Sequence, residues 1–407
     1  MLFVFGLAVC LSALAVNAVP CVQFDASWNL YAFGGNQDVK IGDSSSWSSP
    51  KTSSLSSNGR PSWTGKNTQC ILSQSNNAMY VIGADSDLSA MKKIYIYDFA
   101  GDSWSTQSTS GAPSDLGNSR SSSVLDHDTN VLFTLTTSSG LYQLDLSNVQ
   151  KSASGNTVGW EAVMKPSFSV DGYTVAAAQA ANHIFYFGVP KTAAGSANVF
   201  IVHYAYFQPD AQAFHGTAFP DSAGQAISIP NSQGNVPYSM VFVPDDFSNT
   251  FIATHWTNPG DYSITTDAPF SQDLINSTQI LAAPSSKDKT AAYAASPNAI
   301  VQVNSAGDIY YISNPVNSDY TVSSGASWQK FDYSVSVDNA SKGSGNSTTT
   351  DSASGSHTAT KSATSSASHT SSKTSASSPS SALQTFARGD IIGLVLATMV
   401  LGAGLLL

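Results

Sequence analysis

Lys93-Ile-Tyr-Ile-Tyr-Asp-Phe-Ala-Gly-Asp-Ser-Trp104 is the stretch whose reading decides the fold. Aromatic and β-branched residues fill Ile94 to Tyr97, a composition that suits a pleated, buried strand. Asp98 to Ser103 then supplies Asp, Gly and Ser, residues that close tight turns, and Trp104 opens whatever follows. Runs of the same chemistry recur along the chain. They are Asn29-Leu-Tyr-Ala-Phe-Gly-Gly35, Ala78-Met-Tyr-Val-Ile-Gly83, Val131-Leu-Phe-Thr-Leu135, His183-Ile-Phe-Tyr-Phe-Gly188, Tyr238-Ser-Met-Val-Phe-Val243 and Asp308-Ile-Tyr-Tyr-Ile312. Each reads as a strand between Gly, Asn, Ser and Asp turns.

The terminal aromatics keep a beat. Trp47, Trp104, Trp160, Phe214, Phe270 and Trp328 lie 57, 56, 54, 56 and 58 residues apart. A period near 56 with three or four strands per unit is what a β-propeller blade requires. The globular part, residues 19–337, divided by that period gives between five and six, so six blades are expected, with seven as the alternative. Closing the ring would have the N-terminal strands share a blade with the last strand, around Gln329 to Val337.

These residues resemble a kelch-type repeat. The likeness rests on Ile94-Tyr-Ile-Tyr-Asp98, Gly101-Asp-Ser-Trp104 and the preceding Tyr80-Val-Ile-Gly83. Kelch blades place Gly-Gly after the second strand, and here the pair survives as Gly34-Gly35, whereas Gly83 precedes Ala84 and Gly188 precedes Val189. The resemblance implies an all-β, kelch-like β-propeller and says more of fold than of function.

The two ends of the chain give an address. Leu2 to Val16 is apolar and Val16-Asn17-Ala18 ends in a small residue, which reads as a secretory signal peptide over 1–18. Ile391 to Leu407 is uncharged and mostly apolar, preceded by a polar spacer and the small residues Ser380, Ser381 and Ala382. That order reads as a glycosylphosphatidylinositol (GPI) attachment signal over 383–407, with lipid attachment at Ser380 or Ser381. A C-terminal transmembrane helix is the alternative. Between Ser341 and Ala382, 25 of 42 positions are Ser or Thr. Such a segment cannot bury enough apolar surface to fold, so 338–382 is expected to be a disordered, O-glycosylated stalk. The whole arrangement resembles fungal cell-surface proteins. Sequons at Asn276, Asn339 and Asn346 fit the secretory route. Cys21 and Cys70, the cysteines left after signal removal, most simply form one disulfide, with two free buried thiols as the alternative.

Chemistry is sparse. Charged residues make up 11% of the chain and the net charge of −10 argues against nucleic acid or anionic membranes as partners. His127, His183, His203, His215 and His255 form no HxH or HExxH pattern, so neither a metal nor another cofactor is expected. Kelch-type propellers include copper radical oxidases, but such a site needs a cysteine free to cross-link to tyrosine. Glycosidase chemistry needs two facing carboxylates. Glu161, the only glutamate, follows the repeat Trp160, while Asp126/Asp128 and Asp245-Asp246 sit in turn-like sequence. Asp126-His-Asp-Thr-Asn130 has oxygen-rich spacing but lacks the Gly and Glu of an EF-hand loop.

The sequence therefore points to a surface-anchored, monomeric binding module with no catalytic residues. Its ligand is expected to be a glycan or a cell-surface protein, with Trp63 and Trp256 as aromatics available to stack on sugar. A surface hydrolase or oxidase assembled across blades is the alternative.

Overall fold

The computed structural model describes residues 20–86, 92–117, 121–232, 234–255 and 276–337. The signal peptide, stalk and C-terminal signal lie outside the described residues, as do Trp256, Phe270, Asn339, Asn346, Ser380 and Ser381. No helix among the described residues is long and apolar enough to cross a membrane.

The described residues form a β-propeller of six antiparallel blades, the second and third joined into one eight-stranded sheet where Thr109 and Ser110 run parallel to Val158 and Gly159. Blade 1 is Cys21–Phe24 (β1), Leu30–Phe33 (β2), Val39–Gly42 (β3) and Ser53–Ser54 (β4). Blade 2 is Gln69–Ser73 (β5), Ala78–Ile82 (β6), Lys93–Asp98 (β7) and Ser103–Ser110 (β8). Blade 3 is Ser122–Leu125 (β9), Val131–Thr136 (β10), Gly140–Asp145 (β11) and Val158–Met164 (β12). Blade 4 is Ala176–Ala180 (β13), His183–Phe187 (β14), Ser196–Ile201 (β15), Tyr206–Phe207 (β16) and Gln212–Ala213 (β17). His215–Gly216 (β18) runs parallel to the outer edge of blade 5. The rest of blade 5 is Gly224–Pro230 (β19), Pro237–Pro244 (β20), Thr250–Thr254 (β21) and Ser277–Leu281 (β22). Blade 6 is Ala292–Ser296 (β23), Ala299–Val303 (β24), Asp308–Ser313 (β25) and Gln329–Ser334 (β26). Around the axis β1 lies against β5, β5 against β9, β9 against β13, β13 against β19, β19 against β23, and β23 against β1.

Packing explains why the aromatic runs recur. A strand buried on both faces sends alternate side chains into two different cores. In β6, Met79 and Val81 pack toward blade 1 and Ala78, Tyr80 and Ile82 toward blade 3. In β14, Ile184 and Tyr186 pack toward blade 3 and Phe185 and Phe187 toward blade 5. One apolar cluster fills each junction between consecutive blades, and the ring closes through the sixth, between blades 6 and 1. The tryptophan beat follows the outer strands. Trp104 and Trp160 lie in β8 and β12, and Trp328 immediately precedes β26. Trp47 comes between β3 and β4, where it packs on Tyr311 (5.1 Å) and Phe331 (5.4 Å) of blade 6. Phe214 falls between β17 and β18 and is buried at the junction of blades 4 and 5.

Ring closure differs from the sequence expectation. β1 pairs with β2 and β26 with β25, so no strand is shared between the chain ends. The seal is apolar instead, joined by a backbone bond from the Asn36 amide to the Ser336 carbonyl (2.7 Å). Burial of side chains from both blades supplies the cohesion that strand exchange would otherwise give. Gly34-Gly35 belongs to this seal. Gly34 takes the left-handed conformation (φ 88°) and its amide donates to Asp38, which is buried and held by Arg60 (2.6 Å). A Cβ on Gly35 would lie 2.4 Å from Val335 Cγ1 and 2.8 Å from the Ser336 carbonyl. Cys21 and Cys70 are disulfide-bonded, Cα atoms 6.4 Å apart, and the bond links the innermost strands of blades 1 and 2. It therefore staples the neighbour of the closing junction and not the closing junction itself.

Gly35→Ala should lower unfolding free energy by about 1–3 kcal/mol, the usual cost of overpacking a tight contact, read by urea denaturation. Paired Cys21→Ser and Cys70→Ser should cost about 2–4 kcal/mol, and an unchanged midpoint would show that the closed ring does not need the staple.

Candidate functional site

The innermost strands face a channel, and each has an edge with no strand beyond it. An unpaired edge must find other partners for its backbone groups. Side chains of neighbouring blades provide them. Gln23 Nε2 donates to the Cys70 carbonyl (3.0 Å), and the Ser123 amide donates to Gln69 Oε1 (2.7 Å). The His127 amide donates to Gln179 Oε1 (3.3 Å), while Gln179 Nε2 donates to Asp126 Oδ1 (2.7 Å). The Gln179 amide donates to Ser228 Oγ (2.8 Å), and Gln225 Nε2 reaches the Lys289 carbonyl (3.0 Å). These bonds tie blade 1 to 2, 2 to 3, 3 to 4, 4 to 5 and 5 to 6.

The channel opens at two mouths. Where the innermost strands begin, a cavity of about 260 Å³ is lined by Thr68, Ser122, Thr174, Gln225 and Thr290, with Lys66 and Lys289 at its edge. Lys289 pairs with Asp245 (3.5 Å). Toward the opposite mouth, a cavity of about 190 Å³ is lined by Gln23, Ser123, His127, Gln179 and Tyr293. Both lie below the roughly 300–1,000 Å³ usual for small-molecule pockets. They offer hydroxyls, amides and one lysine–aspartate pair, which suits hydrogen bonding to the surface of a polar ligand.

The residues singled out from the sequence fall in several places. Trp63 is 6% exposed and packs against Trp104 (6.0 Å) and Phe33 (6.4 Å), with the Arg60 guanidinium 5.9 Å from its ring. Stacking on a sugar needs an open ring face, so Trp63 serves the junction of blades 1 and 2 instead. The Asp126-His-Asp-Thr-Asn130 segment is a turn: Asp126 is buried and accepts from the Thr129 amide (3.1 Å), and His127 pairs with Asp128 (3.0 Å). Its carboxylate is committed to the turn and to Gln179. Asp245 and Asp246 also lie in a turn, where Asp246 accepts from the Ser248 amide (2.8 Å). Glu161 accepts from Gln143 across blade 3 (3.1 Å). Among the described residues, no three His, Cys, Asp or Glu gather as a metal site.

Two histidines that the sequence left scattered do meet. His183 and His255, 6% and 5% exposed, lie with ring centroids 4.8 Å apart at the junction of blades 4 and 5. His255 Nδ1–H donates to Oδ1 of Asn276, the sequon asparagine (2.6 Å), while His255 Nε2 and His183 Nδ1 have no hydrogen-bond partner among the described residues. Burial lowers both imidazoles to about 4, helped at His183 by His203 and at His255 by His183. Only the fold brings them together, since they stand 72 positions apart with no motif between them. The channel glutamines were missed for a different reason. Each sits in a short run of small or mixed residues, such as Ala-Ala-Ala-Gln179-Ala. Their signal is position: a lone Gln shortly before an apolar second strand, as with Gln23, Gln69 and Gln225.

No family model matches the chain, and no curated protein does. Among solved structures it is similar to one described as "Streptogramin B lyase structure", with TM-score 0.40 and 12% identity over 79% of this chain and 84% of that one.

The imidazole pair sets a pH dependence. The folded state keeps both rings neutral down to about pH 4, whereas unfolded histidines protonate near 6.5. Their contribution to stability is thus complete above pH 6.5 and is lost as pH falls from 6.5 toward 4. Thermal midpoints across that window should drop for the wild type and flatten in His183→Phe; equal slopes would refute the assignment.

Proposed function

We propose that this protein is a secreted recognition module, a kelch-like propeller carried on a Ser/Thr-rich stalk and held at the cell surface by a GPI lipid. Its ligand is a glycan or a cell-surface protein. The observation that carries the reading is the mouth where the innermost strands begin. Five blades bring Thr68, Ser122, Thr174, Gln225 and Thr290 around one shallow polar cavity, flanked by Lys66 and Lys289. Hydroxyl and amide groups at, or within two residues of, the starts of the innermost strands suit orientation-specific hydrogen bonding. Two aspartates, Asp245 in the lining of that mouth and Asp126 beside His127 of the other cavity, have structural partners. Asp126 is taken up by Thr129 and Gln179, and Asp245 pairs with Lys289, so each of these two carboxylates already has partners of its own. The disulfide likewise leaves neither Cys21 nor Cys70 as a thiol for cross-linking to tyrosine. The kelch-like type is supported by Gly34-Gly35 at a blade turn and by Trp104 and Trp160 on successive outer strands. The terminal signals support the surface location, and the charge of −10 speaks against nucleic acid.

The full chain, immobilised and titrated with neutral glycans and with solubilised cell-surface proteins, should give saturable binding without chemical change in the ligand. Thr174→Val combined with Lys66→Ala should weaken it at least fivefold. Product release from any panel member would replace this reading with the enzymatic one.

A further inference from the structure

The exposed large aromatic side chains among the described residues are two, and they are near neighbours. Tyr204 is 78% exposed and Tyr206 48% exposed. They flank Ala205 in the turn that joins β15 to β16 on the outer part of blade 4. Most other aromatics among the described residues pack into the junctions between blades, so an exposed pair is the informative exception.

The turn that carries them is pinned. Val202 is buried and its amide donates to the Asn182 carbonyl (2.9 Å). Phe207, on the other side, is buried against Phe200 (4.9 Å), Phe168 (5.6 Å) and Tyr186 (5.8 Å). Ser167 Oγ donates to the Gln208 carbonyl (2.6 Å), and the Gln208 amide donates to Val199 (2.9 Å). Ala205 adopts the left-handed conformation (φ 48°, ψ 52°), which a glycine would take without strain. Val202 and Phe207 thus anchor the backbone while the two rings project between them. No ring or cation among the described residues packs on either tyrosine.

Size and charge choose the occupant. A tyrosine presents roughly 150–250 Å², so the two exposed fractions amount to about 250 Å². A second copy of the chain or another protein needs roughly 800 Å² per partner for a stable interface, about three times as much. Sugar rings match better: each has a small apolar C–H face rimmed by hydroxyls, and a tyrosine offers an apolar ring face with a hydroxyl at its tip. From Thr192 to Ser286 the chain has no Lys or Arg, and its net charge is −10. The segment that carries the two rings thus offers acidic or sulfated sugars no lysine or arginine of its own.

We propose that Tyr204 and Tyr206 form a stacking shelf for the sugar units of a neutral polysaccharide. The assignment rests on the recognition reading above and places an aromatic contact on blade 4, separate from the polar mouth.

The test uses the full chain and neutral hexasaccharides of glucose, mannose and N-acetylglucosamine, with uronic-acid and sulfated oligosaccharides as controls. The wild type should bind a neutral probe. Tyr204→Ala with Tyr206→Ala should weaken that binding at least tenfold while leaving the thermal midpoint unchanged, since both rings are solvent-facing. Tyr204→Phe with Tyr206→Phe keeps the rings and should retain affinity within about threefold. Binding that survives the double alanine change, or that prefers the acidic probes, overturns the shelf and leaves the recognition reading intact. A wild type that binds only proteins does the same. Turnover of a glycan would instead bring down the recognition reading itself.

Discussion

Everything in this molecule depends on burying both faces of every blade. A single four-stranded sheet with apolar side chains on each face has nowhere to hide them alone. Each blade here shares one core with the blade before and another with the blade after. No blade can be left out without exposing two apolar surfaces, so the ring must close. The closing junction is sealed by Trp47 against Tyr311 and Phe331, and by the tight approach of Gly35 to Val335 and Ser336. Apolar packing takes the place of a shared strand.

The same geometry creates the channel. Innermost strands have no sheet neighbour on the axial side, and glutamine side chains reach across to satisfy what the backbone leaves open. A glutamine can donate and accept at once, which suits a position between two blades. The result is a stiff polar lining with little room inside. Among the described residues, the pinned turn of blade 4 is where large aromatic side chains reach solvent. The histidine pair beside Asn276 shows the opposite economy. Two rings are held neutral at a junction where burial suits them at neutral pH and opposes them in acid.

Much of the fold was legible because second strands are the most apolar. Five of the six aromatic runs read from the sequence are second strands, namely β2, β6, β10, β14 and β20, and Asp308 to Ile312 became the third strand, β25. The true second strand of blade 6, Ala299-Ile-Val-Gln-Val303, went unread because it lacks aromatics. Innermost strands were the harder part. Ala-Ala-Ala-Gln-Ala and Gly-Gln-Ala-Ile-Ser-Ile-Pro carry small and polar residues where strands crowd around the axis and where, in β19, burial is only partial. Neither an apolar run nor strict alternation survives there.

The sequence by itself determined the strand chemistry, the blade period and the two cysteines able to pair, since each depends on local composition and spacing. Tertiary structure alone decided how the ring closes, that Trp63 is packing and Tyr204 is surface, and that His183 meets His255. The physical reason is common to all three. Burial and contact between residues tens of positions apart depend on which blade faces meet, and the alphabet of a tryptophan or a tyrosine is the same on either side of a sheet.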